Sequence, residues 1–292
     1  MTARVRRIRQ AVALAVRHKV AGRLDGVHAS LHVGRSLDFF DLREYVQGDD
    51  VADIDWRASA RSTTMLVKRQ VAERHLVLLL VVATGLDLAG LAPGGARKLD
   101  VALDAAATLG VLASSFGDYT GTLWWQDGAV ASGRPTTRLV ELERQLGLIE
   151  GVVSPAAGPT DLDRLLATAA TALRRRGLVA VIADDVDIDP QSVARIRRLA
   201  AQHQVIWITV PDIDPTVEGL EGPLLDLATG SHLPGWLDDA ELHAQLAAET
   251  RSRSEARAEA LNRLGVIHTE LNDPGSVTAD VLSVARRLRH AG

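Results

Sequence analysis

Four aspartates crowd one short segment: Asp184, Asp185, Asp187 and Asp189. Carboxylate oxygens are hard ligands, and Mg²⁺ or Ca²⁺ requires several of them converging from separate loops. This segment supplies one or two, so a metal seat here needs partners from elsewhere in the chain. The plain alternative is a solvated acidic loop leading into a helix that starts at Pro190. A denser constellation runs Arg43-Glu44-Tyr45-Val46-Gln47-Gly48-Asp49-Asp50, then Asp53-Ile54-Asp55-Trp56-Arg57, then Ser59-Ala60-Arg61. Arg43, Arg57 and Arg61 alternate with carboxylates at spacings that permit a salt-bridged cluster around Trp56. Guanidinium forks match carboxylates bidentately and stack on indole. Such pairing serves either as a network fixing a small irregular subdomain or as a recognition surface, and the structural role comes first.

Other chemistries lack their residues. No Gly-rich phosphate loop follows the first apolar strand, which ends Val81-Val82-Ala83-Thr84-Gly85-Leu86-Asp87. Gly90–Gly95 is glycine-rich without the required spacing. No serine stands in a nucleophile elbow, and the nine histidines form no zinc-protease pair. His28 and His32 fall in a segment read as extended, where that spacing separates them along one face. Cysteine is absent, which removes disulfides, thiol nucleophiles and cysteine-held metal clusters. A hydrolase built on Asp184, Asp185 and Asp187 would lack an evident nucleophile, base or phosphate cradle.

The elements that must position these groups are legible from periodicity. Residues 3–20 place Val5, Ile8, Val12 and Val16 at helical spacing among arginines. Val27–Val33 alternates as a strand, Ser36 opens a short helix through Tyr45, and Met65–Val71 alternates as a strand. From Arg74 the texture changes. Leu76–Ala83 is eight apolar residues without a break, the mark of a strand buried on both faces of a parallel sheet. Helices are predicted over Lys98–Phe116, Thr137–Ile149, Thr160–Arg176 (capped by Thr160), Pro190–His203, Leu237–Leu264 and Val277–Arg289. Strands are predicted at Tyr119–Trp125, Leu178–Ala183, Val205–Val210 and Val266–Leu271, with a hairpin turn at Gln126-Asp127-Gly128. Of Trp124 and Trp125, adjacent on a strand, one faces the core and the other is placed nearer solvent. This alternation of strand and helix predicts an α/β fold with an open, doubly wound sheet. Ligand sites in such sheets lie outside the C-terminal strand ends, here Ala83–Leu88, Ala183–Asp187 and Val210–Asp214.

The chain has 292 residues, 47% of them hydrophobic, enough for a core without covalent staples. The net charge of −4 leaves no strong nucleic-acid footprint over the whole. Residues 1–75 nevertheless hold fourteen Arg and Lys against nine acids, and the remainder 19 against 28. The Arg-rich first helix, Arg4–Arg23, is therefore a candidate for anionic nucleic acid or a membrane surface, with packing on the chain's own acidic part as the favoured role. Lysine occurs only at 19, 68 and 98. No apolar run approaches a membrane span and no signal core is present, so a cytoplasmic protein is expected.

The motif Arg43-x-Tyr45-x-x-Gly48-Asp49-Asp50-x-x-x-Ile54-Asp55-Trp56-x-x-Ser59-Ala60-Arg61 resembles the hallmark of the bacterial family called domain of unknown function 58. The segments Gly34-Arg35-Ser36-Leu37-Asp38-Phe39, Val67-Lys68-x-x-x-x-Glu73-Arg74 and Gly117-Asp118-x-x-Gly121 resemble its pattern too. The resemblance implies a von Willebrand factor A-like, mostly parallel sheet over 74–292, preceded by a helix and a small β-rich region over 1–73. It implies a non-enzymatic adaptor that works with a MoxR-type AAA+ ATPase in assembling or activating protein complexes. Von Willebrand A domains often hold Mg²⁺ through an acidic and hydroxyl-bearing first loop, a Thr from a second loop and an Asp from a third. By that resemblance the first-loop positions fall at Val82, Thr84 and Leu86, with Asp87 out of register, while Thr160 and Asp184 or Asp185 match the others. The metal site is degenerate on this reading, and no metal or other cofactor is expected. The same loop residues, Thr84, Leu86, Asp87, Thr160, Asp184 and Asp185, are the expected protein contacts.

Overall fold

The computed structural model describes residues 3–19, 41–47, 49–51, 54–69, 75–215, 225–227, 230–232 and 240–288. The chain begins with helix α1 (Ala3–Lys19). A two-stranded antiparallel sheet follows, made of β1 (Asp41–Glu44) and β2 (Leu66–Arg69), with the single-turn helix α2 (Trp56–Ser59) between them. The short helix expected to reach Tyr45 is corrected at this point, because residues 41–44 pair as β1. The expected strand Val27–Val33 and the start of that helix lie outside the described residues.

Among the described residues the main sheet has six strands: β3 (Val77–Val82), β4 (Tyr119–Gln126), β5 (Ala129–Thr136), β6 (Leu178–Ala183), β7 (Gln204–Thr209) and β8 (Ile267–Glu270). Their spatial order is β5-β4-β3-β6-β7-β8. All neighbours are parallel except the β4–β5 hairpin at one edge. The hairpin turns at Asp127 and Gly128, whose φ angles of 49° and 75° suit a tight two-residue connection. The expected doubly wound, mostly parallel α/β sheet is the observed one. The β5 edge carries Gly133 and Pro135 and slips register against β4 between Thr120 and Thr122.

Strand alternation sorts the core into two layers. Leu78, Leu80 and Val82 of β3 face one side, where α1, α3 (Lys98–Ser115), α4 (Leu139–Val152) and α8 (Val277–Arg287) pack. Leu79 and Val81 face the other, beside α5 (Leu162–Ala172), α6 (Pro190–Gln202) and α7 (Ala240–Arg263). Helix α3 is buried on nearly every side, consistent with its many small residues. Helix α1 sinks Val5, Ile8 and Val12 into the first layer and sets Arg4 and Arg7 against Asp104 of α3, at 3.1 and 2.5 Å. The basic helix is thus engaged with the chain's own acids.

Trp124 is buried, while Trp125 is half-buried with the Arg164 guanidinium 5.9 Å above its ring. Among the described residues, no helix is long and apolar enough to cross a membrane.

Candidate functional site

The C-terminal ends of β3, β6 and β7 share one rim, and each ends in a loop. After β3, the Thr84 hydroxyl donates to the Trp125 carbonyl at the end of β4. Leu86 N–H donates to the Gly158 carbonyl at 3.1 Å. Gly85 sits so close to the neighbouring loop that a Cβ there would lie 2.5 Å from both the Thr160 nitrogen and its Oγ1. The loops 84–86 and 158–160 are therefore interlocked. Asp87 lies in the 3₁₀ turn Leu86–Ala89, partly exposed like Leu86.

Thr160 is corrected in one respect. Helix α5 begins at Leu162, and its cap is Asp161, which accepts from Arg164 N–H at 2.9 Å. The Asp side chain outcompetes the hydroxyl because it stands at the residue from which the first turn departs. Thr160 Oγ1 is buried beside Gly85 and has no hydrogen-bond partner among the described residues.

Across the rim, oxygens of Asp184, Asp185 and Asp212 come within 4.8 Å of one another. Between them lies the ammonium of Lys98, the first residue of α3, with its side chain fully buried. Its Nζ donates to Asp184 Oδ1 and to Asp212 Oδ1, the latter at 2.7 Å. Asp184 Oδ1 also accepts from the Asp185 N–H at 2.8 Å. The loop after β3 roofs this cluster. Lys98 N–H donates to the Gly90 carbonyl at 3.0 Å, and Ile213 N–H donates to the Leu91 carbonyl at 2.8 Å.

The electrostatics follow from two acids sharing one ammonium, with a third close by. Burial works against the charged form of Lys98, but Asp184 and Asp212 outweigh it and raise its pKa above the usual lysine value. Burial pushes the Asp184 carboxyl up to about 7; Lys98 pulls against that, and Asp212 and Asp185 add to it.

Helix α7 buttresses the rim from outside. The Arg257 guanidinium donates to the Asp185 carbonyl at 2.8 Å and to Glu270 Oε1 at 2.7 Å. Arg253 holds Asp187 with contacts of 3.1 and 3.2 Å. Asp187 thus turns toward α7, and Asp189 caps α6 through Ser192 N–H at 2.7 Å. Of the four crowded aspartates, the structure brings two, Asp184 and Asp185, into the cluster with Asp212.

The positions that the resemblance assigns to a divalent metal are only partly supplied with donors. Val82 is a buried apolar residue, the Leu86 side chain offers no ligand atom, and the Thr84 hydroxyl is oriented by its donation to a carbonyl. Oδ1 of Asp184 and Oδ1 of Asp212 already hold the Lys98 ammonium.

The Arg/Asp/Trp motif lies in the small sheet, where its visible roles are fastenings. Asp55 caps α2, accepting from Arg57 N–H and Ala58 N–H at 3.0 Å each. Ser59 Oγ accepts from Leu66 N–H at 2.9 Å, and Asp49 Oδ2 accepts from Val46 N–H at 2.9 Å. Tyr45 N–H donates to the Met65 carbonyl at 2.8 Å. Trp56 is 63% exposed, and Asp50 and Arg61 are exposed as well. Arg43 lies on β1, opposite Val67 in register. Gly48 is outside the described residues. The later motif element Asp118 accepts from Leu76 N–H at 2.8 Å and fixes the start of β3.

Sequence reasoning missed Lys98 as a member of the rim, and it placed Val210–Asp214 there without singling out Asp212. The available signal was composition: one of three lysines in an Arg-rich chain, standing where a helix opens onto the strand ends.

Comparisons with known proteins find relatives by structure, by sequence and by family. The described chain is similar to the solved structure of an aerotolerance-related membrane protein from Bacteroides fragilis carrying multiple mutations to serines, with 13% identity and a TM-score of 0.47 over 73% of this chain and 99% of the other. It is also similar to a von Willebrand factor type A protein from Catenulispora acidiphila, with 10% identity and a TM-score of 0.44 over 74% of this chain and 43% of the other. By sequence, it is 32% identical over 207 residues to uncharacterized proteins of Mycobacterium tuberculosis and Mycobacterium bovis, covering 68% of this chain. It spans 62% of the length of those relatives. The family described as "Protein of unknown function DUF58" matches residues 41–224, from the first strand of the small sheet past the last acid of the rim. The small sheet and the rim therefore fall within a single family pattern, and the chain belongs to the DUF58 family.

Proposed function

We propose that this protein is a non-enzymatic interaction adaptor that presents the strand-end rim to a protein partner. The finer reading is that it acts with a MoxR-type AAA+ ATPase in the cytoplasm, in assembling or activating protein complexes. The observation that carries it is the state of the rim's polar groups. Thr84 is tied to Trp125, Asp184 to Lys98, and Asp185 is held through its carbonyl by Arg257. Groups fastened to one another make a shaped surface; a reaction centre needs an activated nucleophile or base within reach of a substrate. Leu86, Asp87, Asp185 and Asp212 remain in part accessible at that surface, as does Thr160 beside Gly85. The apolar cavity lined by Leu76, Leu78, Leu109, Phe116 and Leu288 lies at the other end of β3, away from this chemistry. The division into a small unit, 1–73, and a larger one, 74–292, belongs to the same proposal.

The test is copurification of the full chain with a MoxR-like ATPase held in a nucleotide-trapped state. Retention is expected, and so is its loss in Asp185→Arg and Asp212→Arg. A wild-type chain that retains no such ATPase overturns the finer reading.

A further inference from the structure

The cluster at the rim has the composition of a cation seat. Three carboxylates, carried by the loops after β6 and β7, converge to within 4.8 Å. Three close acids without a counter-charge repel one another, and divalent ions are the usual remedy. Here the counter-charge is supplied by the chain itself.

We propose that the Lys98 ammonium is a covalently tethered replacement for a divalent ion, seated between Asp184 and Asp212 and present in every copy of the protein whatever the metal supply. Three features support it. First, Lys98 opens a helix, the end where the backbone already carries partial positive charge. A cation is disfavoured there, and its burial is costly, so something must hold it; the two carboxylates do. Second, the residue is a lysine in a chain with only three. An ammonium is a compact charge that donates in several directions, as a small metal ion attracts ligands, whereas a guanidinium is a planar fork. Third, the seat is already occupied: the ammonium bonds both carboxylates, and the loop carrying Gly90 lies in ordinary contact range of the Lys98 stem and of Asp212. A divalent ion among the same oxygens would meet the ammonium at like-charge contact distance.

The inference does not depend on the adaptor reading, because its test involves no partner. Wild-type protein, Lys98→Ala and Lys98→Ala with Asp184→Asn are melted in EDTA and in Mn²⁺ at matched ionic strength, and Mn²⁺ binding is followed by electron paramagnetic resonance. The wild type is expected to bind no Mn²⁺ at the rim and to melt at the same temperature in both buffers. Lys98→Ala is expected to gain several degrees in Mn²⁺, or to fold only when it is present, and the double variant to lose that gain. Wild-type Mn²⁺ binding that Asp184→Asn abolishes overturns the proposal. So does a Lys98→Ala protein indifferent to Mn²⁺, whether folded or unfolded in both buffers.

Discussion

Arg257 donates to Glu270 Oε1 at 2.7 Å from a side chain only 3% exposed, and so joins the middle of α7 to the end of β8. Burial alone would raise the Glu270 carboxyl; hydrogen bonds from Arg257 and Ser254 more than offset it and hold the pKa below the usual value. Removing one partner of such a pair leaves the other charged and desolvated. Arg257→Met is expected to destabilise the fold by about 3 kcal/mol, read by urea denaturation. It also frees the Asp185 carbonyl, so the same variant is expected to loosen the loop after β6 in hydrogen exchange.

Asp161 and Thr160 separate a structural role from a surface one. Asp161→Ala removes the cap of α5 and is expected to cost about 1 kcal/mol. Thr160→Val replaces a buried hydroxyl that has no partner among the described residues and is expected to leave stability unchanged or slightly higher. Thermal melts of the two variants check the difference.

Gly85→Ala is expected to be disruptive although its φ of −85° suits any residue. The new methyl would meet backbone as well as the Thr160 hydroxyl at 2.5 Å, so the two interlocked loops must part. A loss of about 1–3 kcal/mol is expected, with hydrogen-exchange changes concentrated at 84–86 and 158–160.

His268 makes stability depend on pH. Burial lowers its pKa from 6.5 to about 4; Glu270 pulls upward, and Arg257 and Arg287 push downward with burial. Its Nε2 lies 3.0 Å from Thr209 Oγ1. The unfolded chain takes up a proton below pH 6.5 that the folded chain refuses until about pH 4. Stability from this group is complete above pH 6.5 and is lost as pH falls toward 4, by at most about 3 kcal/mol. His268→Gln is expected to flatten that part of the stability profile.

What was legible in the sequence follows from local physics. Leu76–Ala83 announced a central strand because only a doubly covered strand tolerates eight apolar residues in succession. The strand ends Ala83–Leu88, Ala183–Asp187 and Val210–Asp214 are legible as neighbours because parallel strands put their ends on one rim. The strand at 41–44 was misread as helix because a four-residue strand has too few positions for alternation to show. Thr160 was mistaken for a cap because Thr and Asp are both good caps, and sequence does not reveal where the first turn departs. Lys98 and Asp212 lie 114 positions apart, and no local pattern links them; the sheet brings them together.

The hairpin at the β5 margin has a further consequence. Pro135 has no N–H to offer a neighbouring strand, and the slip between Thr120 and Thr122 breaks the even spacing that a second molecule would copy. Concentrated solutions are thereby guarded along that border against strand-by-strand fibre growth.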